Sequence, residues 1–585
     1  MKIKKYIATF VLFAGLLTTT SCDDLFRDSP INKLPENMIW EDPKLLDGYV
    51  LPWYRKMNNG FSVYMPTNTL LHGISREFLP WFGDQITVSK SDWYNTSYGG
   101  ILQCDPKNIR IKGLSLWTTY YEQIRSINLL FENQGKIPEG THKDRILGEA
   151  HFFRAYYYYM LLRQFGGPIL LKEVYDPLKN PQKYPRASYE EMVEFITQEA
   201  ILAESYLPDT YGSEDIGRAT KGAAIMLRAK TYFWVAGDHF QNQEKDYLGF
   251  PDNRSEAMLI SAKEAYDELM KLPYDLVQID GDSQEQIKEG YRQIFLTKNS
   301  IESIWEVQHS DNGDYSSGFG HKLDREASSS YYGGTTAAYT PTQNHVDEYG
   351  MQEGKTYDPS NPYENRDYRF YANILYDGCV YNNHTMEIHY TKVDGKEVAG
   401  ADLTPYGASE SAAVTKTGYY MGKFVKEGEK INSDPTYASS QNYIIWRFAE
   451  VLLDYAEIDF KQGRTGDALE KVNRIRRRAH MHELTSITWE AIMNERRVEM
   501  AFEETTYWDF YRYNIAFDKM NGKTNPLKAM KIVKEEGKPT TYTISNINRF
   551  PSRVRYFEDR QYYYPIAWDD KKYHGVEQNP DWTEG

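Results

Sequence analysis

Two short clusters in this sequence carry the side chains that a polyhydroxylated ligand needs. In one, Asp92, Trp93, Tyr94 and Asn95 stand together, closely followed by Gly99 and Gly100. In the other, Tyr315, Tyr331 and Tyr332 stand with Asp314 and Arg325. A sugar ring has apolar faces edged by hydroxyls. A glycan site therefore needs flat aromatic platforms with carboxylates, amides or guanidinium groups beside them. Each of these rings taken singly can also plug the core of its own loop, so it is the two groupings that point to binding.

Other chemistries lack their minimum groups. The sequence contains no HExxH, Walker loop, GxSxG or CxxC, which leaves zinc proteolysis, nucleotide binding, serine hydrolysis and thiol redox without a starting point. His480 and His482 flank Met481, but residues two apart do not share a helical face, so they read as surface histidines. Asp311, Asn312 and Asp314 offer oxygens to calcium, yet an Asn-Gly turn explains them as well and the spacing is not that of an EF-hand. A glycoside hydrolase needs only two carboxylates facing each other across a sugar, and 83 acidic residues keep that class open. No catalytic residue, metal or cofactor is assigned.

Acidic residues outnumber the 68 basic ones and give a net charge of −15. This argues against nucleic acid or anionic lipid bound through a basic face. Only Cys104 and Cys379 follow Cys22, so there is no disulfide framework and no thiolate cluster; the two can pair or stay free. The 12 Trp, 49 Tyr and 25 Phe are more than any site can use, and most must be core.

The amino terminus sets the location. Lys2, Lys4 and Lys5 precede an apolar run from Tyr6 to Leu17, then Thr18, Thr19, Thr20, Ser21 and Cys22. The run is too short to cross a bilayer, which takes about 20 residues, so residues 1–21 read as a secretory signal. The arrangement resembles a bacterial lipobox, with Thr19 where leucine is usual, and it makes Cys22 the lipid-attachment residue. Asp23 and Asp24 resemble the surface-export signals of some lipoproteins. Residues 22–40, with Pro30 and Pro35, form a tether, and the body is expected outside the cytoplasm, held to the membrane through its lipid anchor alone.

Helical periodicity organises residues 41–310. Trp117, Tyr121, Ile124 and Asn128 share one face of a helix stopped by Gly135 and Pro138. Ala150, Phe153, Tyr157 and Met160 share a face of the next, over 143–165, which ends at Gly166, Gly167 and Pro168. The four tyrosines from Tyr156 to Tyr159 point in different directions around it and read as core. Further helices are expected at 188–206, 218–236 and 255–271. Residues 311–440 turn to short Gly-, Ser-, Thr-, Asn- and Tyr-rich segments, a loop-rich insertion and the expected recognition region. Residues 441–585 are expected to be helical again, the pattern resuming at 443: Ile445, Phe448, Leu452 and Tyr455, a stop at Gly463, Thr465 as cap, then Ala468, Val472, Ile475 and Ala479. So short a turn makes this an antiparallel hairpin of tetratricopeptide type, without a strict 34-residue period.

Read in order, these blocks resemble the SusD/RagB family of outer-membrane lipoproteins. The resemblance rests on Glu149, Ala150, Phe152, Arg154, Ala155, Phe165, Gly166 and Pro168, then Arg218, Ala219 and Ala223. It continues in Arg447, Glu450, Leu453, Tyr455, Ala456 and Glu457, in Asn473, Ile475 and Arg476, and in Ile492, Glu495, Arg496, Arg497, Glu499, Asp509 and Arg512. It closes with Tyr564, Pro565, Ile566 and Gln578-Asn579-Pro580. One departure is that Glu504 and Thr506 follow Glu503 where the family usually shows glycine and then arginine. Glu495 and Glu499, one turn apart beside Arg496 and Arg497, suit charge networks between packed helices rather than chemistry. The resemblance implies a mainly α, tetratricopeptide-like scaffold with a loop-rich half. It also implies capture of a glycan, an oligosaccharide or polysaccharide, at the cell surface and its delivery to a TonB-dependent transporter of the SusC type, on which the protein sits as a lid. In the peptide-handling branch the ligand is an oligopeptide. A helical adaptor that binds only protein is disfavoured by the insertion.

Overall fold

The structure is a computed structural model that describes residues 38–57, 60–61, 79–89, 117–175, 184–310, 319–334, 337–404, 414–428, 437–547, 555–566, 570–571 and 575–582. Cys22, Asp92, Trp93, Tyr94, Asn95, Cys104, Asp311, Asn312, Asp314 and Tyr315 lie outside the described residues.

The fold is mainly α. Helices α1 (Pro43–Arg55), α2 (Trp117–Asn133), α3 (Thr141–Phe165), α4 (Tyr189–Tyr206), α5 (Lys221–Val235) and α6 (Ser255–Leu269) pack successively from α2 onward, as tetratricopeptide-like pairs do. Local signals set their ends. Ser188 and Glu191 form a capping box at the start of α4, with the Glu191 amide 3.2 Å from Ser188 Oγ and the Ser188 amide 2.8 Å from the Glu191 carboxylate. Gly166 ends α3 at a φ of +74°, where a side chain would also meet the Tyr247 carbonyl oxygen.

Helix α3 is the hub, with almost every residue from Ile146 to Phe165 buried. Its four tyrosines are core, as their angular spread predicted. The Tyr157 hydroxyl donates to the Trp53 carbonyl at 2.6 Å and the Tyr158 hydroxyl to the Leu171 carbonyl at 3.1 Å. Tyr157 and Tyr158 thus bring their apolar area inside, at about 1.5–3 kcal/mol for a large side chain, without stranding their polar tips.

Beyond α6 the chain adds α7 (Gln284–Leu296) and, in its carboxy-terminal part, α8 (Phe448–Lys461), α9 (Thr465–Arg478), α10 (Trp489–Glu499) and α11 (Thr505–Arg512). Two local expectations are corrected here. Residues Tyr443–Arg447 form a strand, not helix, antiparallel to Ser303–Val307, so Ile445 belongs to a sheet and α8 starts at Phe448. The run Tyr-Ile-Ile-Trp has the β-branched and aromatic character of a strand, and a short apolar run carries no decisive period. Thr465 is the first residue of α9 rather than its cap; the turn is held instead by Arg464, whose amide donates to the Asp459 carbonyl at 2.8 Å and whose guanidinium grips the Asp459 carboxylate at 2.6 Å. At the departure after Glu503, Glu504 itself adopts the left-handed φ of +66°, so the turn forms without glycine.

In the described part of 311–440, short strands and turns alternate with short helices such as Leu323–Ala327 and Tyr368–Asn373. Tyr390–Val393 pairs antiparallel with Lys396–Ala399 and parallel with Lys528–Glu535, whose own hairpin partner is Thr541–Asn546, giving a four-stranded sheet. The carboxy-terminal part, read from sequence as helical, thus contributes a β-hairpin to the insertion. Buried side chains form a large core among the helices, a second core beneath the loop-rich part that holds Tyr291 and Phe295 of α7 with Phe370, Tyr419 and Phe502, and a small cluster of Ala456, Val472 and Ile492 among α8, α9 and α10.

Between the two cores lies a lattice of buried charge. The fully buried Arg447 guanidinium donates to Glu302 at 2.7 Å, to Glu499 at 2.8 Å and to Glu503 at 2.7 Å. Arg478 reaches Glu302 and Glu499, Arg369 reaches Asp367, Glu495 and Glu499, Arg476 reaches Glu495, and Lys423 reaches Glu503. Cations and carboxylates are equal in number. A parallel set joins α5 to α8 and α10 through Lys230, Glu450, Asp454 and Arg496.

Burial pushes the Glu499 carboxyl up, but Arg478, Arg447 and Arg369 more than offset it and hold it well below the usual carboxylate range. At Glu457, burial is outweighed in the same way by Arg512 and the carboxyl is held at about 2. Burial also pushes His309 and His239 down to about 4. Carboxylates depressed in the folded state stabilise above their unfolded pKa and lose that stability as pH falls through the folded one. Histidines depressed in the folded state lower stability between about pH 6.5 and 4, because the unfolded chain takes up the protons first. Both effects have the same sign, so denaturant unfolding is expected to show stability falling from pH 6.5 downward. Glu499→Gln, which takes one carboxylate charge from a buried lattice shared by Arg447, Arg478 and Arg369 and leaves it with a surplus positive charge, should cost about 3–5 kcal/mol at pH 7; a cost under about 1 kcal/mol would show the lattice to be dispensable.

Candidate functional site

The segment that carries Arg325, Tyr331 and Tyr332 is fixed at both ends. Ser310 and Phe319, on either side of residues 311–318, are joined by an amide-to-carbonyl bond of 2.7 Å. His321 and Ser439 exchange backbone bonds of 3.0 and 2.8 Å. Asp324, fully buried, accepts from the Lys426 amide at 3.0 Å, Gln441 Nε2 at 2.7 Å and the Tyr437 hydroxyl at 3.0 Å. Burial pushes its carboxyl up and these donors pull it back only in part. Arg325 lies half-buried on the short helix Leu323–Ala327.

The next turn, Ser330–Tyr332, closes on Gly333 at a φ of +71°. Its two tyrosines have opposite fates. Tyr332 is 9% exposed; its hydroxyl donates to the Tyr381 carbonyl at 2.7 Å, and its ring stands edge-on to both Tyr331 and Tyr381. Tyr331 is 50% exposed and lies flat on the His384 ring, with centroids 4.0 Å apart and planes inclined by 14°. His384 Nε2 meets Asp402 Oδ2 at 3.0 Å. That buried carboxylate also accepts from the Glu387 amide at 2.8 Å and from the Ser329 hydroxyl at 2.5 Å. Asp402 therefore clamps the turn bearing Tyr331 to the small hairpin bearing His384, and Tyr332 is the buried post on which the platform rests.

Nothing in the sequence linked Tyr331 to His384 and Asp402, which are far apart along the chain and belong to no spaced motif. A partial signal existed in Asn382-Asn383, both at positive φ, which marks the tight turn that presents His384. The strand that ends the described chain before residue 90 is anchored nearby. Ile86–Thr87 pairs antiparallel with Thr340–Pro341, and the Ser89 amide donates to the Ala337 carbonyl at 3.2 Å. Ser89 thus lies beside Ala337, a few residues beyond Tyr332, while Asp92, Trp93, Tyr94 and Asn95 are outside the described residues. His480 and His482 are not brought to this region; His480 Nε2 meets the Ile279 carbonyl at 2.9 Å.

Known proteins resemble the chain over nearly its whole length. The sequence profile of the SusD family matches residues 301–582, and a second profile, described as starch-binding associating with outer membrane, matches residues 81–233. The chain belongs to the SusD family. A SusD-like protein of Formosa agariphila, P2, is 25% identical over 88% of this chain and 91% of its own length. A solved SusD-like protein of Bacteroides fragilis superposes with a TM-score of 0.70 at 24% identity, covering 94% of this chain and all of its own. A solved laminarin-binding SusD-like protein superposes at 0.63 with 18% identity, over 93% of this chain and all of its own. These likenesses carry the fold. No helix among the described residues is long and apolar enough to cross a membrane.

The clamp gives a direct expectation for this SusD-family chain. Asp402→Ala removes the acceptor shared by Ser329, His384 and the Glu387 amide, leaving buried donors unmatched at about 1–3 kcal/mol. Limited proteolysis of the variant should cut the loop-rich part several-fold faster than in the parent, with the helical part unchanged; equal rates would mean that the platform is held by other contacts.

Proposed function

We propose that this protein binds glycan at the cell surface and delivers it to a TonB-dependent outer-membrane transporter of the SusC type, acting by capture rather than catalysis. The observation that carries the reading is the solvent-facing Tyr331 ring laid flat on His384 and clamped through Asp402, an aromatic platform with polar groups at its edge, as a sugar face requires. Family membership and a laminarin-binding structural neighbour support the same ligand class. In this reading Asp92, Trp93, Tyr94, Asn95, Asp314, Tyr315 and Arg325 complete the site, with Tyr332 as its buried support. Lipid on Cys22 holds the body at the outer membrane, facing outward.

Laminarin is the first probe, followed by a panel of neutral polysaccharides, in affinity electrophoresis and calorimetry with the lipid-free body. Tyr331→Ala should weaken binding of the polysaccharide bound best by about 1–3 kcal/mol, as loss of a central aromatic anchor does, and no new reducing ends should form. Unchanged affinity would remove Tyr331 from the site, and steady release of reducing ends would replace capture with hydrolysis. In cells, Cys22→Ala should move the protein out of the membrane fraction, whereas gentle detergent extraction of the parent should bring down a large barrel protein in fixed ratio. Membrane retention of the variant in a strain lacking that barrel would defeat the anchoring.

A further inference from the structure

On the helical half of the molecule, a cavity of about 280 Å³ opens at the start of α2, beside the chain that follows α3. Two aromatic pairs border it. Trp117, nearly buried, meets Tyr121 with ring centroids 4.9 Å apart, and Tyr175 meets Tyr184 edge-on at 5.1 Å. Tyr121, Tyr175 and Tyr184 are each partly open to solvent. The Tyr121 hydroxyl is engaged by the Ile169 carbonyl at 2.7 Å, and the Asn128 amide group by the Leu171 and Glu173 carbonyls at 3.1 and 3.0 Å. Tyr121 and Asn128 are thereby held in place, and Tyr121 presents ring carbon rather than its polar tip. At the rim stand the exposed Glu122, Arg125 and Glu173, with the half-buried Asp570 beside them.

We infer that this cavity is a second binding site, for a single neutral sugar residue. Its volume falls just below the usual range of about 300–1,000 Å³ for pockets that take a small molecule whole, which suits one ring and not an extended chain. Aromatic walls match the apolar faces of a pyranose. Carboxylates only accept hydrogen bonds and a guanidinium only donates them; hydroxyls do both, and a polyol satisfies such a mixed rim. An anionic ligand would face three carboxylates, Glu122, Glu173 and Asp570, against the single guanidinium of Arg125; a cation would meet the opposite balance, which is why a cationic probe belongs in the test. The cavity packs on the helical core, whereas Tyr332, which supports Tyr331, belongs to the second core, so the two sites are built on separate foundations. The inference rests on the glycan reading above and adds a second point of attachment, which raises retention of a polymer that already touches the platform.

Saturation-transfer NMR on the lipid-free body tests it, with methyl glycosides of glucose, mannose, galactose and N-acetylglucosamine as probes and lysine amide as a cationic control. At least one glycoside should receive saturation. That signal should survive Tyr331→Ala and drop at least five-fold in Tyr184→Ala and in the exposed Arg125→Ala, which leaves the packed rings in place. Signal lost in Tyr331→Ala but kept in both cavity variants would overturn the second site and leave the glycan reading standing. The second site alone is likewise overturned if polysaccharide is bound but no glycoside is saturated, or if only lysine amide responds. Absence of both polysaccharide binding and glycoside signal would overturn the two together.

Discussion

The buried guanidinium of Arg447 is the point on which the architecture turns. It stands at the seam of the two cores, and its carboxylate partners come from the start of the strand Ser303–Val307, from α10 and from the turn before α11. Taking an arginine out of water costs several kcal/mol, and a lone carboxylate partner offsets this poorly. Here the planar fork is met on each side by oxygens, and the partners are in turn met by Arg478, Arg369 and Lys423. Because Arg369 and Lys423 come from the loop-rich part, the lattice fixes that part to the helices by directional bonds. Hydrophobic contact alone would permit sliding; paired charges in a dry setting allow one arrangement, because each alternative strands a charge.

That rigidity is what a recognition surface made of loops requires. Irregular segments have few backbone bonds of their own, and the region around Tyr331 obtains its order from buried side-chain acceptors: Asp324 gathers donors from the 426 and 437–441 segments, and Asp402 joins the turn of Ser329 to the hairpin of His384. Buried, hydrogen-bonded carboxylates here take the place that strand ladders hold elsewhere. The exposed ring is thus held in place before any ligand arrives, which reduces the ordering cost of binding.

Much of the helical scaffold was legible from residues alone, because period and stops agreed with one another at Gly166 and Gly463. The segment Tyr443–Arg447 was misread because its apolar run is too short to reveal a period, and the partner that makes it a strand, Ser303–Val307, lies far off in the chain. Glu495 and Glu499 were legible as structural charges, yet their partner Arg369 was not, since no local pattern connects a loop arginine to a helix. The platform was half legible for the same reason. Tyr331 and Tyr332 were visible as a pair, but which ring faces water was decided by Tyr381, and what the exposed ring rests on was decided by Asp402. Local chemistry writes the elements; long-range pairing writes the site.

The parallel pairing of Tyr390–Val393 with Val533–Glu535 bears on the order in which the molecule can assemble. About 140 residues separate these strands, and contacts of such sequence separation form late because the loop must be closed before they stabilise anything. A chain emerging from its amino terminus can complete the α2–α6 stack early, while the hairpin Tyr390–Ala399 waits with an open edge for the carboxy-terminal strands. The recognition part is therefore the last to mature, and a truncation near the carboxy terminus would damage it while sparing the helices made first.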